Sequence, residues 1–366
     1  MAKYRFDQIA INSTEKKKPA EEDRFTYLGL EHLDSGTLKV TRFGSEVAPI
    51  GEKLVMHKGD VLFGKRRAYQ KKVALAPFDG IFSAHGMVLR PKEDVIDKNF
   101  FPLFISSDYF LDAAIKISVG SLSPTINWRD LKELEFELPD MDTQRKLAEV
   151  LWSINDTMEA YKKLISATDE LVKSQFIDMF GAPLSNEKGW PLKRIGDLFS
   201  LISRGKQPSY VDHSSVRVVN QACIYWDRFN FENVKYHDSQ SGKKTLPVKK
   251  DCILINSTGT GTLGRCNVFP ELTDGYVYVV DSHVTVLAES HDVNAYFFKC
   301  FLQREDVQKK IYAECVNGST NQIELSKEKL SDVLLVVPPM ERQEQFAAFV
   351  RQSDKSKYNA SQAMRL

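Results

Sequence analysis

The chain states one pattern twice. Pro139-Asp140-Met141-Asp142-Thr143-Gln144 is followed by Leu147, Ala148, Val150 and Leu151, and Pro338-Pro339-Met340-Glu341-Arg342-Gln343 by Phe346, Ala347, Phe349 and Val350. A constant shift of 199 residues superposes Leu131, Pro139, Met141, Gln144 and Ala148 on Leu330, Pro338, Met340, Gln343 and Ala347. At a shift of 198, Gly120-Ser121 answers Gly318-Ser319, and His85, Val88 and Leu89 answer His283, Val286 and Leu287. Tyr4-Arg5-Phe6 with Ile9 answers Trp190-Pro191-Leu192 with Ile195 at a shift of 186. The offset is thus nearly fixed late in each unit and drifts early. A duplicated frame with a changed front part is expected to recognise something twice.

A chain of 366 residues, 42% hydrophobic and 27% charged, is long enough for two domains of roughly 150 residues. No stretch approaches the ~20 apolar residues of a membrane span, and Met1-Ala2-Lys3-Tyr4 leads into no signal-like run. The five cysteines, Cys223, Cys252, Cys266, Cys300 and Cys315, form no CxxC pair and are expected as reduced thiols in a cytoplasm. Net charge is only +1, so any nucleic-acid binding must use local patches.

Short β-rich runs such as Val61-Leu62-Phe63 and Met87-Val88-Leu89 alternate with turn signals in the first unit. Cys252-Ile253-Leu254-Ile255 and Val277-Tyr278-Val279-Val280 repeat this in the second. The pattern turns helical between Asn99 and Ile117 and between Asn294 and Cys315. The expected class is α+β, two duplicated domains with twisted, mainly antiparallel sheets, joined by long coiled-coil-type helices. Leu147, Leu151, Ile154, Met158, Tyr161, Ile165, Thr168 and Val172 recur in alternating steps of four and three, a heptad seam. Asp142-Thr143 supplies capping chemistry and Gly181-Ala182-Pro183 a stop. The boundaries read as residues 1–140, a central helix over 141–181, a second domain over 182–340 and a shortened helix over 341–366.

Gly259-Thr260-Gly261-Thr262-Leu263-Gly264 is a literal GxGxxG, but Arg265-Cys266-Asn267-Val268 after it is strand-like. A dinucleotide site needs a helix to open there. The expectation is a glycine-rich hairpin loop, with Thr258 and Thr260, that another molecule can approach closely. The first unit places a different loop after its corresponding strand: Lys65, Arg66, Arg67, Ala68, Tyr69, Gln70, Lys71 and Lys72. From Lys53 to Lys72 seven basic residues face one acid, Asp60. Cations interleaved with Tyr69 and Gln70 supply phosphate-neutralising charge and groups able to touch base edges. A merely solvated face is the alternative. Lys193 to Lys250 holds eleven basic residues against five acids, densest at Arg204, Lys206 and Gln207, at Tyr225 and Arg228, and at Lys243 and Lys244. Catalytic constellations are poor. There is no HExxH and no Walker A, His85 and His283 stand at equivalent strand positions, which suggests a structural role more than a ligand one, and Val337-Pro338-Pro339-Met340 lacks the polar residue of an adenine-gripping methyltransferase motif. No cofactor and no metal are expected.

These residues carry a family likeness. The junctions from Gly120-Ser121 to Gln144 and from Gly318-Ser319 to Gln343, the Trp190-Pro191-Leu192 opening, Ile202-Ser203-Arg204-Gly205-Lys206-Gln207-Pro208 and Asp354-Lys355-Ser356-Lys357 together resemble the specificity subunit of a type I restriction–modification system. The resemblance implies a non-catalytic reader of double-stranded DNA. Two target-recognition domains would each read half of a split, asymmetric sequence, separated by an antiparallel pair of long helices. Two methyltransferase subunits would dock on it to methylate adenine, and restriction/motor subunits would complete the assembly, with no membrane involved. The departure is at the C-terminus, where only about 25 residues remain for the second long helix. A self-associating, truncated specificity allele and a coiled-coil adaptor with solvated basic loops stay open as alternatives, as does an enzyme with its own cleavage centre.

Overall fold

The computed structural model of the chain describes residues 1–288, 290–318 and 323–364. It divides into two compact units, Met1–Glu159 and Ala160–Leu366.

In the first unit, one antiparallel sheet orders Ala10–Ser13, Met87–Pro91, Val61–Phe63 and Val73–Leu75. Val61–Phe63, Val73–Leu75 and the Met87-Val88-Leu89 part of Met87–Pro91 are apolar without a break because both faces are covered. Val61, Phe63, Val73, Met87 and Leu89 point into one core with Phe6, Phe104, Phe110 and Phe136. Leu62, Ala74 and Val88, one residue out of phase, point into another with Leu28, Met56 and Phe82. A second sheet, Lys16–Lys17, Lys53–Met56, Gly80–Phe82 and Tyr27–Leu28, has one parallel pair, Tyr27–Leu28 with Gly80–Phe82.

The second unit repeats the plan. Leu201–Arg204, Val284–Ala288, Ile253–Asn256 and Cys266–Val268 form the antiparallel sheet. Ile253, Ile255, Cys266 and Leu287 face one core, while Leu254, Val284 and Val286 face the other. The companion sheet has five strands, again with one parallel pair, Val216–Val219 with Val277–Val280. The class is therefore α+β with mainly antiparallel sheets, as expected.

Strand register fixes the correspondence residue by residue. Val61 lies opposite Leu89 and Ile253 opposite Leu287, so the first central strand maps onto the second at a shift of 192. One alignment needs correction. Arg5 lies opposite Glu135 and Arg194 opposite Leu334, so the front segments match at 189, not 186. Buried Phe6 and Ile9 thus correspond to buried Ile195 and Leu198, each pair on a single helical turn. An apolar i, i+3 pattern resembles itself when slipped by three residues, which is how the wrong offset arises.

The shared glutamine of the two junctions has a common task. Gln144 is buried; its Oε1 accepts from Asp97 N at 2.8 Å, and its Nε2 donates to Val95 O at 3.1 Å and Pro139 O at 2.9 Å. Gln343 is buried likewise, accepting from Asn294 N at 2.9 Å and donating to Asp292 O at 2.9 Å and Pro338 O at 2.8 Å. Each amide pins the start of a long helix to the loop before the unit's own Phe100–Ser106 or Ala295–Leu302 helix.

The central helix runs Met141–Phe180, 40 residues, about 60 Å at ~1.5 Å per residue. Its cap is Asp140, not the expected Asp142-Thr143: Thr143 N and Oγ1 both donate to the Asp140 carboxylate at 2.9 Å. The Thr143 backbone bond holds that carboxyl below the usual range. Gly181 ends the helix at φ 77°, with its N–H on Ile177 O at 2.8 Å. Within the second unit, Met340–Ala363 packs antiparallel to the last part of this helix. Phe346 meets Phe176 and Phe180 at ring separations of 5.5 and 5.4 Å, and Lys357 reaches Asp169 at 2.8 Å. Of the expected seam, Leu147, Leu151 and Ile154 are exposed. Gly120 and Gly318 share positive φ, 109° and 102°; Ser319 lies outside the described residues.

Candidate nucleic-acid interface

The hairpin loop of the first unit leaves Phe63 and returns at Val73. Arg67 (φ 55°) and Lys71 (φ 48°), both left-handed, bracket a single 3-10 turn, Ala68–Gln70. That geometry buries Ala68 and turns Arg66, Arg67 and Tyr69 outward, Tyr69 being 57% exposed. Arg66 donates to Ser123 Oγ at 3.1 Å and stands 3.3 Å from His85 Nε2. Arg67 makes no hydrogen bond or ion pair among the described residues through its guanidinium.

Other cations of this loop are engaged. Lys71 reaches Asp108 and Asp112, both at 2.7 Å, and these bonds raise its pKa. Lys72 donates to Leu30 O at 2.6 Å, and Gln70 O accepts from Ser35 Oγ. Lys65 is half-buried, and burial, then the nearby Lys16, pushes its pKa down. His85 is pushed down by burial first, then by Arg66, Lys65 and Lys53. Lys16, Lys53, Lys65, Arg66 and His85 therefore share one electropositive neighbourhood. Asp60, the lone acid between Lys53 and Lys72, is buried and bound to Arg90 at 2.8 Å, while Glu52 pairs with Lys16 at 3.6 Å.

The loop of the second unit occupies the same place. Ile126 N donates to Lys65 O and Leu325 N to Ser257 O, at 2.9 and 2.8 Å. Arg66 bridges to Thr125, and Thr258 to Glu324. Ser257, Thr258 and Gly259 thus stand where Lys65, Arg66 and Arg67 stand in the first unit. The GxGxxG lies wholly in this loop between Ile253–Asn256 and Cys266–Val268, with no helix for a pyrophosphate. Gly261 (φ 84°) would have open space around an added Cβ, and Thr260 is exposed. Thr258 Oγ1 is 2.8 Å from His283 Nδ1 and 3.3 Å from Gln221 Oε1.

Arg204 and Gln207 converge on the turn that carries His283. Arg204 donates to Ser282 O and pairs with Glu324, while Gln207 Oε1 accepts from Ser282 Oγ at 3.1 Å. Burial lowers the pKa of Arg204, which braces the turn. Lys206 is exposed and makes no hydrogen bond or ion pair among the described residues through its ammonium. Tyr225 sits under two guanidiniums, Arg228 at 4.9 Å and Arg265 at 5.4 Å, and Arg265 ends the glycine-rich loop. Lys243 and Lys244 are exposed before Leu246–Pro247 of the five-stranded sheet, and no described contact ties them to this cluster. His85 and His283, which look like strand residues in the sequence, are exposed turn residues against the two loops. Gln221, Ser282 and Arg265 were not marked by any sequence signal, whereas the histidines were marked by the duplication.

Among the described residues no cluster of potential metal ligands occurs, and no helix is long and apolar enough to cross a membrane.

Comparison with known proteins places this arrangement. The profile of the type I restriction modification DNA specificity domain matches twice, over residues 13–167 and 187–362. The type I restriction enzyme MjaIX specificity subunit of Methanocaldococcus jannaschii is 28% identical over 295 residues, covering 71% of this chain and 63% of that subunit. The EcoDI specificity subunit of Escherichia coli is 29% identical over 160 residues, 42% of this chain and 35% of that one. The chain thus spans less than two thirds of these relatives. The crystal structure of a type I restriction–modification S subunit from M. genitalium superposes with a TM-score of 0.61 at 15% identity, over 100% of this chain and 92% of that one. A structure solved for complex assembly and conformational transition of the type I system superposes at 0.51 and 17% identity, over 99% and 95%. Both likenesses concern the fold. On the doubled family match, the chain belongs to the type I restriction–modification DNA specificity family, a family of non-catalytic recognition subunits.

Proposed function

We propose that the chain reads a bipartite, asymmetric sequence in double-stranded DNA and directs adenine methylation and restriction by partner subunits. Residues 1–140 and 182–340 are the two target-recognition domains, and 141–181 and 341–366 the spacers. Two methyltransferase subunits and restriction/motor subunits supply the chemistry. The observation that carries this reading is the pair of hairpin loops, built on one frame with different side chains. Lys65, Arg66, Arg67, Tyr69 and Gln70 face one half-site. Lys206, Gln207, Tyr225, Arg228, Thr258 and Thr260 face the other, with Lys243 and Lys244 flanking. Lys71, Lys72 and Arg204 support these surfaces, because their charges are already met inside the protein. Cations neutralise phosphates, and amides, hydroxyls and guanidiniums reach base edges.

The test is methylome sequencing of cells carrying the chain with an adenine methyltransferase subunit, against cells lacking the chain. One split motif, methylated on adenine only when the chain is present, is the expected result. Methyl transfer by the purified chain alone would overturn it.

A second reading, a coiled-coil adaptor, draws on Leu147, Val150, Leu151 and Ile154, which are 40, 57, 38 and 51% exposed on successive turns of the long helix. Duplex binding that vanishes with salt selects the first reading, since each phosphate contact releases about one counterion.

A further inference from the structure

One imidazole occupies the same place in both units. His85 and His283 lie in the turn before Met87–Pro91 and before Val284–Ala288. The turn closes through its backbone: Gly86 N donates to Ser83 O at 3.0 Å, and Val284 N to Asp281 O at 3.3 Å. The backbone N–H groups of His85 and His283 donate to Ser83 Oγ at 3.3 Å and Asp281 Oδ1 at 2.9 Å. No part of the turn therefore needs the ring. Both rings are exposed, so neither is held for its packing.

What each ring touches is the equivalent residue of its own hairpin loop. His85 Nε2 stands 3.3 Å from Arg66 Nη1, and His283 Nδ1 stands 2.8 Å from Thr258 Oγ1. Arg66 and Thr258 are the same position, as their bridges to Thr125 and Glu324 show. Around that position the two loops differ at almost every residue, yet the imidazole is common to both. The second ring nitrogen, Nδ1 of His85 and Nε2 of His283, makes no hydrogen bond among the described residues. A neutral imidazole offers one donor and one acceptor, so a ring already bonded to its loop keeps one nitrogen for whatever covers the loop.

We propose that His85 and His283 are specificity-determining residues, one for each half of the DNA site, each bonding a base edge through the ring nitrogen that faces away from its loop. The inference rests on the loops being the DNA-reading surfaces. The test uses the full chain expressed with an adenine methyltransferase subunit, read by methylome sequencing and by the Tm of the purified chain. His85→Ala should relax a base in one half-site only and lower methylation of the parent sequence roughly 10-fold, the scale of one lost base contact. His283→Ala should do the same in the other half-site, and neither should move the Tm. The outward nitrogen is mimicked by His85→Asn, at the δ position, and by His283→Gln, at the ε position, so these should restore selectivity. Restoration by His85→Gln and His283→Asn instead would mean the rings act only through their loops, and would overturn the proposal. So would a uniform loss over all sequences with no base relaxed, or no change at all. Arg66→Ala with Arg67→Ala is measured alongside. If that variant also leaves both half-sites intact, the loop reading itself has failed; if it relaxes one and the histidine variants do not, only this inference falls.

Discussion

The loops at 64–72 and 257–265 hang from one frame and share almost no chemistry. The first is cationic and shaped by two left-handed residues that are not glycine, Arg67 and Lys71. The second carries hydroxyls and three glycines of positive φ, Gly259, Gly261 and Gly264. Their strands, bridging residues and facing histidines correspond nearly one to one. In this part of the frame the largest differences lie beyond the last paired residues, in the side chains and backbone of the loops. A sheet buried on both faces tolerates little change, because each strand residue fills one of two cores. A loop past the sheet edge carries no such constraint, and recognition can change there without cost to the fold.

The frame should behave alike in both units, and there the largest effects are expected. Gln144→Ala would leave Asp97 N–H, Val95 C=O and Pro139 C=O without their partner. At about 1–3 kcal/mol for each unsatisfied buried group, a loss of about 3 kcal/mol is expected, or a Tm drop of about 6–12 °C. Gln343→Ala should cost as much, since its three bonds are the same. Thermal denaturation of the two variants is the check. A large loss for one and none for the other would break the equivalence of the junctions.

The loops should behave differently. Arg66→Ala with Arg67→Ala should weaken duplex binding about 10-fold and flatten its salt dependence by about one counterion per lost phosphate contact. Thr258→Ala with Thr260→Ala should leave the salt slope unchanged and relax bases in the other half-site. Binding titrations over a salt series separate the two. Equal slopes would show that loop charge does not distinguish the units. Lys71→Ala belongs to the frame by this logic. It should leave the salt slope unaltered, because its ammonium is already bonded to Asp108 and Asp112.

How much of this was legible in the sequence follows from the same division. The duplicated frame was legible because buried positions repeat: Leu131 and Leu330, Ala148 and Ala347, Gln144 and Gln343 are all buried. The sheets were legible as apolar runs, and the GxGxxG was legible as a hairpin because strand residues follow it. Which cations are free was not. Lys71 and Arg67 look alike in a basic run, and only the placement of Asp108 and Asp112 in the Asp108–Lys116 helix separates them. Arg204 looks unpaired in the sequence because its partner, Glu324, is distant along the chain. The histidines stood in apparent strands because the residues after them are apolar, and no local signal marks a turn closed by its own backbone.

The smallest expected effect lies at the first residue of the two turns, where Ser83 answers Asp281. Ser83 and Asp281 both accept the N–H two residues on, but only Asp281 titrates. Burial raises the pKa of Asp281 against the opposing pull of the His283 N–H, the His283 ring, the Tyr210 hydroxyl at 3.5 Å and Lys235. The same carboxylate, after burial, helps push Tyr210 up to about 12. A carboxyl raised in the folded state binds its proton more tightly there than in the unfolded chain. Its contribution to stability is therefore full below the ordinary carboxylate range and lost as pH rises through the raised value. Asp281→Asn keeps an oxygen for His283 N–H and removes the charge. The variant should match the parent near pH 4 and exceed it modestly in Tm at pH 7. Ser83→Ala should shift the Tm by the same small amount at both pH values. A parent-to-Asp281→Asn gap that stays constant with pH would mean the carboxylate is solvated in the fold, and that the two turns do not differ in their electrostatics.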